Sequence, residues 1–424
     1  MSALPKQRER HATQKSTPKT HVQAKPARRL RARSMWIVVF GIGALYIGST
    51  LLTPLYAIYE RQFNFSDLVV TEIYAVYVLG NLTVLFLFGR LSDQIGRRRT
   101  TLIALCFTAF SAALFLLAAS VAWLFVARTL NGFSAGLGAG ALTAWIAELE
   151  PNEDPARATE FASAGNLAGL AFGALAAGLL AVLAPWPLRT GWVFYIGVLG
   201  VLTMTIWSAP ETVEDPIGSF SELSLKPRIG VPRDLRWAFV GPAALAFASF
   251  ALGGFYAALT PSLLMKGMGQ TSVTVVGAVV ALFFGAASMI AVVTHRLEIF
   301  PSLLTSVALL LAGLGLLLLA EGQQSLSLLI AATVICGAAM GLGYRGSLQT
   351  VNEMAPDDRR AELLSSLLLV CYTANSLPIV GVGLLSQAFS AKAAHRLFAV
   401  LLALLGLVAV AVGSTRDASK QRDR

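Results

Sequence analysis

Residues 89–99 read Gly-Arg-Leu-Ser-Asp-Gln-Ile-Gly-Arg-Arg-Arg and separate two long apolar runs. Gly89 and Gly96 permit a tight turn and a close approach of the flanking segments. Asp93 stands where a carboxylate can meet a helix N-terminus or an arginine. An ordinary basic loop would explain the arginines but not the Gly-x-Leu-x-Asp-x-x-Gly spacing. We therefore take this segment, called the 89–99 turn below, as the one that decides the fold.

Apolar runs like the two beside this turn recur along most of the chain. Hydrophobic residues make up 56% of the sequence and charged residues only 13%, against roughly 25% charged residues in soluble domains. A membrane-spanning helix needs about 20 mostly apolar residues. The sequence predicts an all-α membrane protein with twelve transmembrane helices, over residues 36–58, 68–88, 101–119, 122–146, 159–183, 190–209, 236–259, 272–293, 299–320, 325–346, 362–387 and 395–413.

The predicted helices form two groups of six on either side of a proline-bearing segment of mixed charge. This division predicts five regions of the chain. They are a disordered basic tail over 1–34, an N-terminal six-helix half over 35–209, a linker over 210–235, a C-terminal six-helix half over 236–413 and a second tail over 414–424.

The two halves share short matches at a nearly constant offset. Leu52-Thr53-Pro54 corresponds to Leu259-Thr260-Pro261, and Gly178-Leu179-Leu180 corresponds to Gly383-Leu384-Leu385. Because each half holds an even number of helices, both halves have the same orientation in the membrane. The matches therefore predict two parallel repeats, with the solute site between them near the midplane of the bilayer.

The distribution of charge predicts the membrane orientation. The first 34 residues hold ten basic residues and one acid, Glu9, so most of the net charge of +10 lies in this tail. Short turns on the same side carry more arginine than the others, which places both termini in the cytoplasm of a multi-pass protein of the cell (inner) membrane. The tail is either solvated or bound to anionic headgroups of the lipid bilayer. It lacks hydrophobic periodicity, which predicts disorder. Because the basicity is confined to this tail, we expect no nucleic-acid partner.

Nothing in the sequence is typical of an enzyme or a cofactor site. Cys106, Cys336 and Cys371 lie singly in apolar runs, and the four histidines are scattered, which predicts neither a disulfide nor a metal site. The sequence contains no phosphate-binding glycine loop, so nothing in it indicates ATP-driven transport. The apolar run from Met35 is too long for a signal peptide. We expect a non-enzymatic, monomeric protein without a cofactor.

The 89–99 turn resembles the signature loop of the major facilitator superfamily, which it matches at Gly89, Leu91, Asp93, Gly96, Arg97 and Arg98. Twelve helices in a six-plus-six repeat are also that family's architecture. The resemblance implies a gate whose acid and arginines latch the halves together when the transporter is open to the outside. The corresponding second-half segment, residues 294–301, is eroded. The latch is therefore expected to be stronger in the N-terminal half.

Two charged side chains within predicted helices are candidates for coupling. An arginine in a membrane span, such as Arg128, costs roughly 2.5–3.5 kcal/mol and indicates function, with snorkelling as the alternative. Arg128 and Asn131 resemble the family's helix-4 Arg-x-x-Gln-Gly motif, with asparagine replacing glutamine, and this motif is linked to proton coupling or to substrate charge. Glu72 is either a proton-accepting carboxylate or a group in a wet vestibule without function.

The helix predicted over 159–183 bears on proton antiport. Its glycines resemble the antiporter motif of the family's drug-efflux branch, which ends Gly-Pro-x-x-Gly-Gly. Ala174 replaces the proline and Ala177 replaces the first glycine of the final pair. The missing proline would have bent the helix and removed a hydrogen bond, so the departure leaves proton antiport open.

Two further groups of residues are predicted to serve transport. Charged residues after the fourth and tenth helices are expected to form an inner charge network, or else exposed pairs worth roughly 0–1 kcal/mol each; they are Glu148, Arg157, Glu353 and Arg360. Polar and aromatic residues are expected to line a cavity, although tyrosines near helix ends are alternatively interfacial anchors; they are Asn81, Asn131, Asn375, Tyr77, Tyr256 and Tyr372.

The sequence thus predicts a secondary active transporter that moves a small solute by alternating access. Proton-coupled efflux of amphipathic compounds is the first hypothesis, because the cavity candidates are apolar, aromatic and amide side chains with few charges. Solute uptake by symport or uniport is the second. A non-transporting membrane sensor or receptor with a transporter fold is the alternative from another class.

Overall fold

The computed structural model describes residues 24–214, 216–217, 229–294, 299–356 and 359–422. Within these ranges the chain forms helices and short turns without a strand, which confirms the all-α prediction. Twelve long helices, α1 to α12, span Ala24–Leu51, Asp67–Leu87, Arg97–Leu116, Val121–Leu149, Pro155–Leu183, Thr190–Trp207, Arg236–Ala258, Val273–Val293, Ile299–Gln323, Leu326–Met354, Arg360–Ala388 and Ala391–Arg422. Short helical segments lie at Thr53–Leu55, Tyr56–Phe63, Leu91–Ile95, Arg233–Leu235, Thr260–Ser262 and Leu263–Gly267.

Eleven of the helices in the described ranges are long and apolar enough to cross a membrane. The long helix outside this group is α4, which is less apolar because Arg128, Asn131 and a row of glycines lie within it. α4 is 29 residues long and packs against α1, α2 and α3. It therefore runs through the bundle like its neighbours, and the predicted twelve-helix layout is confirmed.

The internal repeat is visible as matching breaks after α1 and α7. Each of these helices is followed by a one-turn segment, Thr53–Leu55 in the first half and Thr260–Ser262 in the second. Pro54 and Pro261 lie at these breaks. A proline has no backbone N–H and its ring clashes with the preceding turn, so it interrupts a helix. The repeated Leu-Thr-Pro sequence thus produces the same bend in both halves.

The terminal helices are longer than the sequence predicts. α1 begins at Ala24, inside the segment 1–34 that was expected to be disordered, and α12 continues to Arg422, inside the predicted tail 414–424. Alanine and arginine have high helix propensity, so a helix continues beyond the apolar span. Residues 1–23 of the predicted tail lie outside the described residues. In the linker over 210–235, the described residues are helical only at Arg233–Leu235.

Each half has its own apolar core, and the halves meet along two helix pairs. Trp145 and Trp192 are fully buried in the N-terminal half, and Phe255 and Phe283 are fully buried in the C-terminal half. α5 packs along α8, and α2 packs along α11. The end of the bundle where α1 begins also carries the 89–99 turn, and we call it the basic end. The other end is called the opposite end.

Candidate functional site

A cavity of about 1530 Å³ lies between the two halves. At the basic end it is lined by the 89–99 turn and by terminal residues of α4, α5, α10 and α11. It extends into the bundle as far as Thr50 of α1 and Asn375 of α11. The charged residues Glu60, Asp67 and Lys266 at the opposite end do not line it. The cavity is therefore open at the basic end and closed at the opposite end.

Polar contacts between the halves close the opposite end, and we call them the opposite-end latch. Lys266, after α7, binds the carboxylates of Glu60 and Asp67, with 3.0 Å between Lys266 Nζ and Asp67 Oδ1. Gln387 Nε2 donates to Ser66 Oγ at 3.3 Å. Burial alone would lower the pKa of Lys266, but hydrogen bonds to Glu60 and Asp67 raise that pKa above its ordinary value. Lys266 therefore remains a cation at neutral pH.

The part of the cavity farthest from the basic end, called the inner pocket, is lined by Tyr46, Ser49, Tyr74, Tyr77, Asn81, Arg128, Tyr372 and Asn375. Tyr74 OH donates to Asn375 Oδ1 at 3.1 Å, a bond that joins the two halves. Ser49 Oγ donates to Tyr77 OH at 3.3 Å. Asn81 is buried, and its Nδ2 has no hydrogen-bond partner in the described part of the chain. The inner pocket thus brings hydroxyl and amide groups of both halves together beside a buried cation.

Arg128 is only 1% exposed and belongs to this pocket. Its Nη1 donates to the Ser49 carbonyl at 2.8 Å and to Asn131 Oδ1 at 3.3 Å. Its guanidinium carbon lies 4.6 Å from the ring centre of Tyr77 and 5.3 Å from that of Tyr74. Such cation–π contacts contribute only about 0.5–2 kcal/mol. The side chain faces the cavity rather than the end of the helix, which favours function over snorkelling.

Three of the predicted coupling and cavity residues do not line the cavity. Glu72 is exposed on α2 and lies outside it. Tyr256 is buried in the C-terminal core, where its ring stacks on Phe283 with 4.0 Å between ring centres. Asn131 is buried, and its Oδ1 accepts a hydrogen bond from Arg128, which lines the cavity. Glu72 forms no ion pair within the described part of the chain.

Arg97 connects the 89–99 turn to the end of α4. The side chain is nearly buried, and its Nη2 binds Glu148 Oε1 at 2.7 Å. Its Nη1 donates to Ser92 Oγ at 2.7 Å and also binds the Asp93 carboxylate. All four residues belong to the N-terminal half, so this charge network stabilises one half without bridging to the other in this conformation.

Glu211, in the linker, caps the N-terminus of α3. Its carboxylate accepts hydrogen bonds from the backbone N–H groups of Arg97 at 2.8 Å and Arg98 at 3.0 Å, which satisfies donors that the helix leaves unpaired. Gly96 has a φ of +103°, and a Cβ there would meet Glu211 Oε2 at 2.5 Å. The turn therefore needs glycine for conformation and for space. The sequence contains no pattern that would have identified Glu211.

The other members of the predicted inner charge network line the rim of the cavity but are not joined to Glu148. Arg157 is exposed and lies over the ring of Phe161, 5.5 Å from its centre. Glu353 and Arg360 are exposed on the C-terminal half. Neither Arg157 nor Glu353 forms an ion pair with a described residue. In the eroded segment 294–301, residues 295–298 lie outside the described residues.

A buried polar pair in the C-terminal half is absent from the predicted site residues. Glu321 Oε1 lies 2.9 Å from His395 Nδ1, and the two residues are 5% and 7% exposed. Phe255 packs edge-on against the His395 ring, with 5.2 Å between ring centres. Because α9 and α12 bring these residues together across 74 positions of sequence, no local spacing reveals them. The pair lies outside the cavity. It joins the last turn of α9 to the first turns of α12 at the opposite end of the bundle.

The two walls of the cavity differ in chemistry. The N-terminal half supplies most of the hydroxyl groups and the buried cation of the inner pocket. The C-terminal half supplies Gly253, Ala257, Phe284 and Met340 at comparable depth. Within the described ranges no group of three or more histidine, cysteine or acidic residues is placed to hold a metal ion. Such a cavity can bind a solute with one polar and one apolar side by noncovalent contacts.

A family model described as the Major Facilitator Superfamily matches residues 38–377. Among curated proteins, the quinolone resistance protein NorA of Staphylococcus aureus (strain MRSA252) is 22% identical over 228 residues, which cover 53% of this chain and 56% of that protein. The probable polyol transporter 4 of Arabidopsis thaliana is 37% identical over 90 residues, covering 20% of this chain and 17% of that protein. The chain thus spans little more than half the length of NorA.

Among solved structures, a bacterial homolog of the human lysosomal transporter Spinster has the same fold. Its crystal structure in an inward-facing, unoccupied conformation matches with a TM-score of 0.68 at 15% identity, covering 91% of this chain and 97% of that chain. The occupied, inward-facing structure of that homolog matches with a TM-score of 0.67. This similarity extends the common architecture over nearly the whole chain.

Proposed function

We propose, on the premise that the chain belongs to the major facilitator superfamily, that it is a secondary active transporter of a small amphipathic solute. The observation that carries the proposal is a deep cavity between two repeats, open at one end and closed by contacts between the halves at the other. Alternating access requires this asymmetry, because the central site must face one side of the membrane at a time.

The basic end faces the cytoplasm in this proposal. The tail and the short turns at that end carry most of the arginines, and such residues favour the cytoplasmic side of a membrane. The protein is then a multi-pass protein of the cell (inner) membrane with both termini inside. The conformation described above is the one open to the cytoplasm, with the opposite-end latch closed.

Export of amphipathic compounds is the preferred direction, with uptake by symport or uniport as the alternative. Support for export comes from the aromatic and apolar lining of the cavity and from a relative named as a quinolone resistance protein. For proton coupling, Arg128 is the stronger candidate, because Glu72 lies outside the cavity. A sensor that binds without transporting remains the alternative from another class.

The charge network of the 89–99 turn acts as the inner gate in this proposal. In the conformation open at the basic end, Asp93, Arg97 and Glu148 bind one another within the N-terminal half. Closing the basic end would bring Glu353 and Arg360, which are exposed on the facing rim, towards this network. The exchange of partners would then stabilise the state open at the opposite end.

Transport by proteoliposomes tests the proposal. We expect the purified protein to move a fluorescent amphipathic dye such as 1-anilinonaphthalene-8-sulfonate when a pH gradient is imposed, whereas protein-free liposomes do not. Asp93→Asn should transport about fivefold more slowly, because a partly exposed ion pair of Arg97 contributes roughly 1 kcal/mol. Asp234→Asn, at an exposed linker position, is the matched control. Normal transport by Asp93→Asn would refute the gate, and binding of dyes without any transport would favour the sensor.

Loss of the lysine of the opposite-end latch should shift the conformational equilibrium. Lys266→Gln removes both ion pairs to Glu60 and Asp67, so the population open at the opposite end should rise about two- to fivefold. Electron–electron double resonance between spin labels at Gln62 and Thr271, which flank this end on different halves, would show a longer distance. Lys392→Gln, an exposed lysine of the same half and end, should leave the distances unchanged. Identical distributions in the two variants would contradict the role of the latch.

A further inference from the structure

We infer that the inner pocket binds the acidic group of an apolar, aromatic organic anion, and that Arg128 is the counter-ion of that group. The inference rests on the proposed transport function for its biological meaning, but it concerns binding alone. It specifies the charge of the solute, whereas the proposed function specifies only that the solute is amphipathic.

The first argument is the unneutralised charge of Arg128. Its Nε is buried without a hydrogen-bond partner, and the acceptors of its Nη1 are the Ser49 carbonyl and the Asn131 amide, both neutral. The ion pairs among the described residues join other groups. A buried charge is unfavourable unless it is paired and hydrogen-bonded. An anion in the cavity would supply the missing partner.

The second argument is the position of the acidic residues that line the cavity. They are Asp93, Asp154, Glu160 and Glu353. All four lie at the basic end, in the 89–99 turn, just before or near the beginning of α5, or in the last turn of α10. Asp93 already binds Arg97. No acid in the described part of the chain lines the inner pocket, so a solute cation would meet only Arg128 and neutral groups there. The pocket is electrostatically suited to an anion.

The third argument is the aromatic and apolar surface that surrounds Arg128. Tyr74 and Tyr77 lie against the guanidinium, and both rings also line the pocket. Across the cavity, Phe284 and Met340 of the C-terminal half present apolar surface. A planar carboxylate can accept parallel hydrogen bonds from a guanidinium, while an aromatic body can pack on tyrosine rings and on methionine. The solute would span the two walls, with its acid on the N-terminal half.

A matched series of ligands tests this inference without any transport measurement. The probes are 2-naphthoate, 2-naphthamide and 2-naphthylmethylamine, which share one aromatic body and differ in charge. Titration calorimetry on the full-length protein in neutral detergent should show the acid binding at least about tenfold more tightly than the amide and the amine. Equal or tighter binding of the amide or amine, or failure of the acid to bind, would overturn the inference.

Variants at Arg128 assign the preference to this side chain. Arg128→Gln should abolish the difference between acid and amide, and Arg128→Lys should retain part of it because the charge remains. Arg189→Gln, an exposed arginine at the opposite end, is the control and should bind like the wild type. Size-exclusion chromatography checks that each variant is folded. If Arg128→Gln does not fold, the wild-type comparison of acid with amide still decides the question. A folded Arg128→Gln protein that keeps the acid preference would overturn the assignment.

Two further measurements separate the possible outcomes. Nanodiscs of phosphatidylcholine, with and without phosphatidylglycerol, distinguish a free anion from an anionic lipid headgroup. If the affinity for 2-naphthoate is the same in both kinds of nanodisc, the natural ligand is a free anion. If phosphatidylglycerol lowers that affinity by competing for Arg128, the ligand is instead a lipid headgroup, and the assignment to a free solute is overturned. Acid binding without transport in proteoliposomes would refute the proposed function alone. Transport of other solutes without acid binding would refute this inference alone.

Discussion

A single methyl group at Gly132 is expected to destabilise the protein by about 3 kcal/mol. Gly132 of α4 packs directly on the backbone of α2, and a Cβ there would overlap the Tyr77 carbonyl oxygen. A backbone atom cannot rotate away as a side chain can, so α2 and α4 must separate. Overpacking of this kind typically costs about 1–3 kcal/mol or more. Thermal unfolding of Gly132→Ala in detergent, followed by intrinsic fluorescence, measures the loss.

Gly140→Ala is the matched control for this prediction. Gly140 lies two helical turns further along α4, and a Cβ there would have no neighbour within 4 Å. Both substitutions improve intrinsic helix propensity by up to about 1 kcal/mol, so the difference between them reports the contact with α2 alone. Equal unfolding temperatures for Gly132→Ala and Gly140→Ala would show that the helices accommodate the methyl group. The close approach of α2 and α4 would then be unnecessary for the fold.

Gly277→Ala is expected to slow transport about tenfold while the protein remains folded. Gly277 lies on α8 where the two halves meet, and a Cβ there would stand 2.5 Å from the Ala174 carbonyl oxygen and 3.0 Å from Gly178 Cα on α5. This contact lies where the halves meet near the opposite end. A methyl group would push the halves apart there, which disfavours the conformation that is closed at the opposite end. A shift of about 1.4 kcal/mol between two states changes their ratio tenfold. Dye transport by proteoliposomes measures the effect.

The control for this prediction is Gly285→Ala on the same helix, where a Cβ would meet nothing within 4 Å. Spin labels at Gln62 and Thr271 should show the opposite end opening in Gly277→Ala but not in Gly285→Ala. If Gly277→Ala transports at the wild-type rate, the α5–α8 contact does not control the equilibrium. Loss of folded Gly277→Ala protein would instead make this contact a structural one.

Part of the candidate site could be recognised in the sequence because its residues are close together along the chain. The 89–99 turn places Asp93 and Arg97 one helical turn apart, and the structure joins them. Arg128 was identified because a charge within an apolar run is unusual. The same reasoning assigned Glu72 to the site, but Glu72 is exposed outside the cavity. A charge in a span indicates depth in the membrane without indicating which side of the helix it occupies.

The remaining contacts depend on pairing between distant segments. Lys266 meets Glu60 across 206 positions of sequence, and Tyr74 meets Asn375 across 301. Arg97 meets Glu211 only because the linker returns over the basic end. Glu60, Lys266 and Glu211 are unremarkable in their local sequences. Their partners are determined by the packing of the halves, which no local period encodes.

The sequence by itself determined the fold class, the twelve helices, the two parallel repeats and the segment that decides the family. It could do so because the bilayer demands about 20 apolar residues per span, and because a proline or a glycine turn acts on its immediate neighbours. The tertiary structure alone decided which end of the cavity is closed, which acids remain outside it and that Arg128 has no carboxylate partner among the described residues. These properties depend on electrostatic and packing contacts that act over a few ångströms, between residues that only folding brings together.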